Sequence, residues 1–423
     1  MSRSSRSSSR FHSIGACVLA AAIASSAAHA AEFKVLQPLG SEPMAVKKGV
    51  LPWGGYYVPS TPATVRWGSL PGADAKPVLT VPSGSIVTFD TVSHEGVLED
   101  QGKDPVKFFA KYGVKPEQVL KDAQTIAASS VPHDFVKDGP HVVTGPVAIE
   151  GAKAGDVLKV EIVALQPRVP YGVISNRHGK GALPNEFPET PKPEQDASAS
   201  QPEKYHNVFR FAPIREIGGK WYGIVKGESG REARIPLRPF NGIMGVAVNK
   251  TEKANSVPPG EYGGNLDLNE MTVGVGAVLY LPVQVDRALF YAADPHFVQG
   301  DGEVALTALE GSLRSTFRLT VLKQGDKALP LPTIKSPVAE TKDYWIPIGL
   351  NEDLDEAMKE ATRQGVALLQ HQYGMDRATA LAYLSAGADF EVTQVVDRVK
   401  GVNGMIRKSD FAAGNVAKKS AKR

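Results

Sequence analysis

The chain has 423 residues, with 48 Lys+Arg against 45 Asp+Glu, 42 % hydrophobic and 22 % charged residues. That balance excludes an intrinsically disordered chain, and the length leaves room for a large core. A formal charge of only +3 gives no electrostatic case for a nucleic-acid partner.

In chain order, residues 1–30 predict a signal peptide. "MSRSSRSSSR" is a basic n-region, "IGACVLAAAIA" an apolar core, and Ala28–Ala30 ("AHA") a small-x-small cleavage site before Ala31. The apolar run is too short to span a membrane stably. Removing the segment takes away Arg3, Arg6 and Arg10 and no acid, so the expected mature charge is zero. It also removes Cys17, the only cysteine, which leaves no disulfide and no thiolate metal site. The expected location is secreted or periplasmic, with no membrane association after cleavage.

Glycine (41) and proline (31) are abundant, which favours many short strands and turns. Period-two alternation predicts strands at Ser85–Ser93, Asp156–Pro167, Ala277–Val285, Glu303–Gly311 and Ser315–Lys323. Short helices are expected near Pro105–Ser129. Residues 175–207 are polar and Pro-rich and read as a long surface insertion. "NEDLDEAMKEATRQGVALLQHQY" predicts an amphipathic helix capped by Asn351, and "MDRATALAYLSAG" a second one capped by Asp376. A strand, "DFEVTQVVD", follows. The organisation is therefore a mainly β body over 31–340, a smaller α/β part over 341–410 that packs on it, and a flexible basic tail at 411–423.

Four loops beside strand ends carry the side chains that do chemistry. "DPHFVQGDGE" holds Asp294, His296, Gln299, Asp301 and Glu303. Asp294 and His296 share a face in an extended chain, as do Asp301 and Glu303. An imidazole among carboxylates suits Zn²⁺ or a related divalent ion, although D-P-H and G-D-G also form ordinary turns. "VPPGEYGGNLDLNEM" adds Gly264, Asn265 and Asp267, or is simply a glycine-rich turn. "FDTVSHEG" places Asp90, His94 and Glu95 after a strand, where a lone histidine reads as a surface or structural residue. "HDFVKDGPHVVTGP" contributes His133 and His141. No G-x-S-x-G elbow occurs, so a serine nucleophile of that type is not indicated.

Five phrases in order, "DGPHVVTGPVAIEGAKAGDVLKVEIV", "RPFNGIMGVAV", "VPPGEYGGNLD", "GAVLYLPVQVDRALFYAADPHFVQGDGEVALTALEG" and "AYLSAGADFEVTQVVDRVKGVNGMIRKS", resemble the acetamidase/formamidase family. The resemblance runs from about Phe89 to Ser409. It implies hydrolysis of the C–N bond of short aliphatic amides, a jelly-roll-like β-sandwich or barrel body, a homo-oligomer, and a divalent metal, zinc; on residue chemistry, the hard oxygen ligands of these loops make Ca²⁺ the alternative. The resemblance does not itself assign ligands. On residue chemistry, His296, Asp294, Asp301, Asp267 and Asp90 are the candidate metal ligands. Glu303 is the candidate proton carrier and Asn265 the oxyanion donor, with His141, Gln299 and Gly264 against the substrate. Two other readings are a non-catalytic β-sandwich binding Ca²⁺ or a small ligand, and a hydrolase of a larger amide covered by the 175–207 loop. The signal peptide and the "HVVTGP" opening depart from what the resemblance leads one to expect.

Overall fold

The computed structural model describes residues 33–269, 271 and 276–411. The expected signal peptide and, after Phe411, the tail lie outside that range. Two large sheets organise the rest. In the first, of ten strands, the long central strands Ser85–Thr91, Leu313–Leu322 and Val157–Pro167 lie side by side. In the second, of eleven, Phe290–Val298 lies between Phe240–Gly245 and Leu309–Glu310 and also pairs with Val142–Ile149.

The three strands of the first sheet form where alternation placed them, because one face of each is apolar and finds an apolar partner. Phe89 and Phe317 of the first sheet meet Phe290 of the second edge to face at centroid distances of 5.7 and 5.6 Å, and meet each other tilted at 5.9 Å. Around them Val58, Val87, Val160, Ile162, Leu279, Leu281 and Ala292 complete a core drawn from both sheets. Among the described residues neither sheet closes on itself, so the barrel form of the expected body is not met; each ladder ends in edge strands.

The C-terminal segment continues the first sheet. Strands Val338–Glu340, Tyr344–Asn351, Lys400–Arg407 and Asp389–Gln394 extend it beyond Val278–Pro282. Among the described residues, four α-helices accompany the sheets: α1 (Pro105–Ala110), α2 (Lys121–Ala127), α3 (Leu354–Tyr373) and α4 (Arg377–Gly387). Asp353, and not Asn351, caps α3, its carboxylate accepting from the N–H groups of Asp355 and Glu356. Asn351 instead ends the preceding strand and braces the turn, accepting from Asp353 N–H and donating to Glu360. Asp376 caps α4 as expected.

Helix α3 lies almost in contact with the backbone of strand Tyr344–Asn351. A Cβ on Gly349 would run into the Ala357 carbonyl oxygen and lie 2.5 Å from Ala361 N. Gly349→Ala is therefore expected to destabilise the protein by about 3 kcal/mol, the upper end for overpacking, because backbone cannot step aside. Urea denaturation measures it.

One predicted strand is absent. Of Glu303–Gly311, only Leu309–Glu310 pairs; the rest is a turn-rich loop in which Glu303 and Leu306 have positive φ. Conversely, strand Phe290–Val298 runs through "DPH" instead of ending before it. Both departures have one cause: these polar residues are buried among one another, which no period-two pattern can register.

Candidate active site

The second sheet supplies the floor of the site. Asp294 and His296 project from strand Phe290–Val298, and His296 pairs in register with Phe240, whose ring meets the imidazole edge-on at 5.0 Å. Next to Phe240, Gly242 is glycine because the site fills the space of its missing side chain. A Cβ there would meet Asp267 Oδ1 and lie 2.7 Å from Asp294 Oδ2 and 2.8 Å from His296 Cε1. Asp267 N–H donates to the Gly242 carbonyl at 3.2 Å.

The loops bring the other members. His94 approaches Asp294 Oδ1 at 3.6 Å and Glu310 Oε2 at 4.0 Å, both through Nδ1, and its Nε2 lies 3.1 Å from Glu95. His141 Nε2 lies 3.7 Å from Asp294 Oδ2, while its Nδ1 is anchored by Ser256 Oγ at 2.9 Å. His296 Nε2 lies 3.1 Å from both Asp294 and Glu310, and its Nδ1 3.7 Å from Asp267. Asp397 and Glu303 complete the group around Asp267. All of these residues are buried.

Four overlapping sets keep their ligand-type atoms within 4.8 Å of one another: His94–His141–Asp294, Asp267–Asp294–His296, His296–Glu303–Glu310 and Asp267–Glu303–Asp397. Despite these short distances, both ring nitrogens of His94 and of His296, both carboxylate oxygens of Asp267, Asp294 Oδ1 and Glu310 Oε2 have no hydrogen-bond partner among the described residues. They converge on shared space without pointing along one another's lone pairs. A buried unsatisfied polar atom costs about 1–3 kcal/mol, so an array of them is not a structural arrangement in its own right.

The electrostatics follow from that crowding. Burial opposes charge on His94, yet Asp294, Glu95 and Glu310 outweigh it and raise its pKa to about 10. Burial lowers His141 to about 4, with only partial relief from Asp294. Burial and then neighbouring carboxylates push Glu303 and Asp397 well above the carboxylate range, and Asp267 up to about 7. Asp294 goes the other way: burial opposes its charge, but His296 and His141 hold it well below its usual value. Groups of one kind are thus driven in opposite directions within one site, which is the pattern of acid–base chemistry. The backbone adds a second mark. Asp267, Asp294 and Glu303 have φ of 46°, 51° and 44°, left-handed values costing about 1–3 kcal/mol each and held only by surrounding structure.

The expected site residues separate here. Asp294, His296, Asp267, Glu303 and His141 come together. Asn265 is buried two residues before Asp267 with Oδ1 unpartnered. Gln299 grips backbone, its amide donating to the carbonyls of Asp267 and Thr393 at 3.3 and 3.0 Å. Gly264 is accounted for by packing, since a Cβ would lie 2.8 Å from the Tyr262 ring. Asp301 is exposed and accepts from Asn269 at 2.7 Å; it shares no face with buried Glu303. Asp90 has both oxygens engaged by Arg314 and one also by Tyr57. Neither Asp301 nor Asp90 belongs to the convergent sets. Asp301→Ala is accordingly expected to keep stability within about 0.5 kcal/mol, as for an ordinary surface position; thermal unfolding checks this.

Sequence reasoning missed His94, Glu310 and Asp397 as site members. Glu95 is the tether of His94. Arg177 (3.1 Å), Ser175 (2.8 Å) and Gln101 hold its carboxylate, and burial is overcome chiefly by Arg177 so that its pKa falls to about 2. Arg177 is fixed in turn by Asp100 at 2.7 Å.

A two-sheet, mainly β scaffold around a buried centre of histidines and carboxylates is the class of protein this structure defines. Residues 127–405 match the model of the Acetamidase/Formamidase family, and the chain belongs to that family. It is 28 % identical to an acetamidase of Mycolicibacterium smegmatis over 201 residues, 39 % of this chain and 49 % of that one. It is 28 % identical to a formamidase of Methylophilus methylotrophus over 254 residues, 52 % of this chain and 61 % of that one. The chain thus spans about half the length of the curated relatives it matches. The crystal structure of an acetamidase from Bacillus halodurans shares the fold, with a TM-score of 0.60 at 24 % identity over 84 % of this chain and 98 % of that one.

Proposed function

We propose that the protein is a metal-dependent amidohydrolase that cleaves short aliphatic amides to carboxylate and ammonia. The carrying observation is the array of buried, unpartnered His and carboxylate atoms around Asp294. Those atoms fit a divalent ion: nitrogen and oxygen donors together suit zinc, held by Asp294 with His94 and His141 or with Asp267 and His296. The all-oxygen set Asp267, Glu303 and Asp397 suits a harder ion such as Ca²⁺. Such an ion, when bound, supplies a Lewis acid for the amide carbonyl and lowers the pKa of water.

The chain's own groups do the remainder. Glu303 accepts the proton of the attacking water and returns it to the departing nitrogen, since an amine leaves readily only once protonated. A carboxyl that does both needs a pKa near the working pH, and burial beside Asp267 drives Glu303 in that direction. Asn265 donates a side-chain N–H to the developing oxyanion. Glu95 orients His94, and Ser256 orients His141. Burial of the whole set excludes bulk water and strengthens each of these interactions. The same reading includes a jelly-roll winding of the sheets, a homo-oligomer, export through residues 1–30, and a body of 31–340 with its 341–410 part.

Purified protein is expected to release ammonia from formamide, acetamide or propionamide, and to carry a divalent metal that is depleted in His296→Ala. Failure to release ammonia from any of these amides, with metal supplied, overturns the hydrolase reading. Undiminished metal in His296→Ala removes that residue from the ligand set.

A further inference from the structure

Beside the cluster lies a small cavity with about 20 Å³ of space for the centres of water-sized groups. Glu95 and Glu310 are among its lining residues, so it adjoins the cluster around His94 and His296. The rest of its wall is largely apolar, including Phe109, Val119, Leu120, Ala123, Val169 and Tyr171. One water needs about 10–15 Å³ on such a measure and a methyl group is larger, so the space takes about one methyl-sized group. Besides the two glutamates, its polar side chains are three hydroxyls: Ser93 Oγ accepts from Glu95 N–H at 3.2 Å, Ser312 Oγ accepts from Ser93 N–H at 3.0 Å, and the third belongs to Tyr171. That hydroxyl already donates to the Gln118 carbonyl at 3.2 Å.

We infer that this cavity receives the acyl chain of the substrate, so that the protein selects amides with one to two carbons beyond the carbonyl over formamide. The inference rests on the amidohydrolase reading and deepens it. The carbonyl and nitrogen of the amide stay with the convergent polar atoms, and the alkyl group crosses between Glu95 and Glu310 into the apolar wall. Helices α1 and α2 and the segment between them build much of that wall. Phe109, Val119, Leu120 and Ala123 all precede residue 127, where the match to the family model begins. The acyl wall is therefore shared between these residues before the matched segment and Val169, Tyr171 and Val173 within it. A methylene gained or lost in a fitted apolar pocket changes kcat/KM by about 10–200-fold, which makes the effect measurable.

The experiment compares kcat/KM for formamide, propionamide and pentanamide. Formamide has no carbon to place in the cavity and serves as the internal reference. In the graded series Ala123→Val and Ala123→Leu, which fills the space, the propionamide-to-formamide ratio is expected to fall by about 10-fold and then by about 100-fold. In Leu120→Ala, which enlarges it, the pentanamide-to-formamide ratio is expected to rise by about 10-fold. Ratios that stay constant across all three variants overturn the inference, whatever happens to absolute rates. If the wild type hydrolyses none of these amides, the hydrolase reading falls by itself. Calorimetric titration with propionamide then decides the cavity: binding lost in Ala123→Leu supports it, and binding that is absent or unaltered overturns it.

Discussion

Glu303→Gln is expected to lower kcat for amide hydrolysis by about 10²–10⁴-fold with little change in KM, the range for losing a positioned proton carrier. The substitution keeps shape and volume and removes only the ability to take up and hand back a proton. Glu303 is suited to the test because its surroundings drive its pKa upward: burial first, then the charge of Asp267. Its backbone is held at φ 44° in a loop fixed by hydrogen bonds from Gly302 N–H to the Thr393 carbonyl (3.1 Å) and from Val395 N–H to the Gly302 carbonyl (3.2 Å). Glutamine fits the same loop, so a drop in rate is not a drop in folding. Ammonia release gives the rate, and elemental analysis shows whether metal is retained. Full activity in Glu303→Gln removes it from the mechanism. A lost rate together with lost metal makes it a ligand within the His296–Glu303–Glu310 set instead.

The same loop explains how much of the site was legible in the sequence. "DPHFVQGDGE" announces itself because it packs ligand-type residues into ten positions, and Asp294, His296 and Glu303 do meet. Glu310 was hidden inside an alternating phrase that reads as a strand; it reaches His296 because the two residues are register partners. Asp397 comes from nearly a hundred residues downstream, delivered by the pairing of Thr393 and Val395 with Gly302. His94 stood alone after a strand, and nothing local separates such a histidine from a structural one. What these three share is that their partners are long-range. Local pattern reports propensity and one-face burial, whereas a buried polar cluster is specified only by tertiary contact. The strands and helices were legible for the converse reason. Their apolar faces repeat at short range, as in Ser85–Thr91 and in α3, where only the cap shifted by two residues.

Asp90→Ala is expected to cost about 3–5 kcal/mol of folding stability while leaving metal content intact, because breaking a buried ion pair strands its partner. Asp90 faces Arg314 in register across adjacent strands and is completely buried. Arg314 grips it with two parallel bonds, Nε to Oδ1 at 2.7 Å and Nη2 to Oδ2 at 2.8 Å, the geometry that makes guanidinium–carboxylate pairs strong. Tyr57 donates to Oδ2 at 2.6 Å, and Arg168, itself fully buried and paired to Asp122 at 2.8 Å, lies 3.4 Å away. Two arginines therefore share two acids in a dry interior. Removing one acid leaves an excess buried positive charge and a tyrosine hydroxyl that keeps Leu39 N–H as donor but has no acceptor for its own proton. Urea denaturation reads the loss. Replacing the pair together, Asp90→Leu with Arg314→Met, is expected to recover a large part of it, since the charge needing compensation is gone. A ligand would behave in the opposite way. Metal lost from Asp90→Ala at unchanged stability would return Asp90 to the catalytic centre, and the arginines would then have to be counted among the groups that face the substrate.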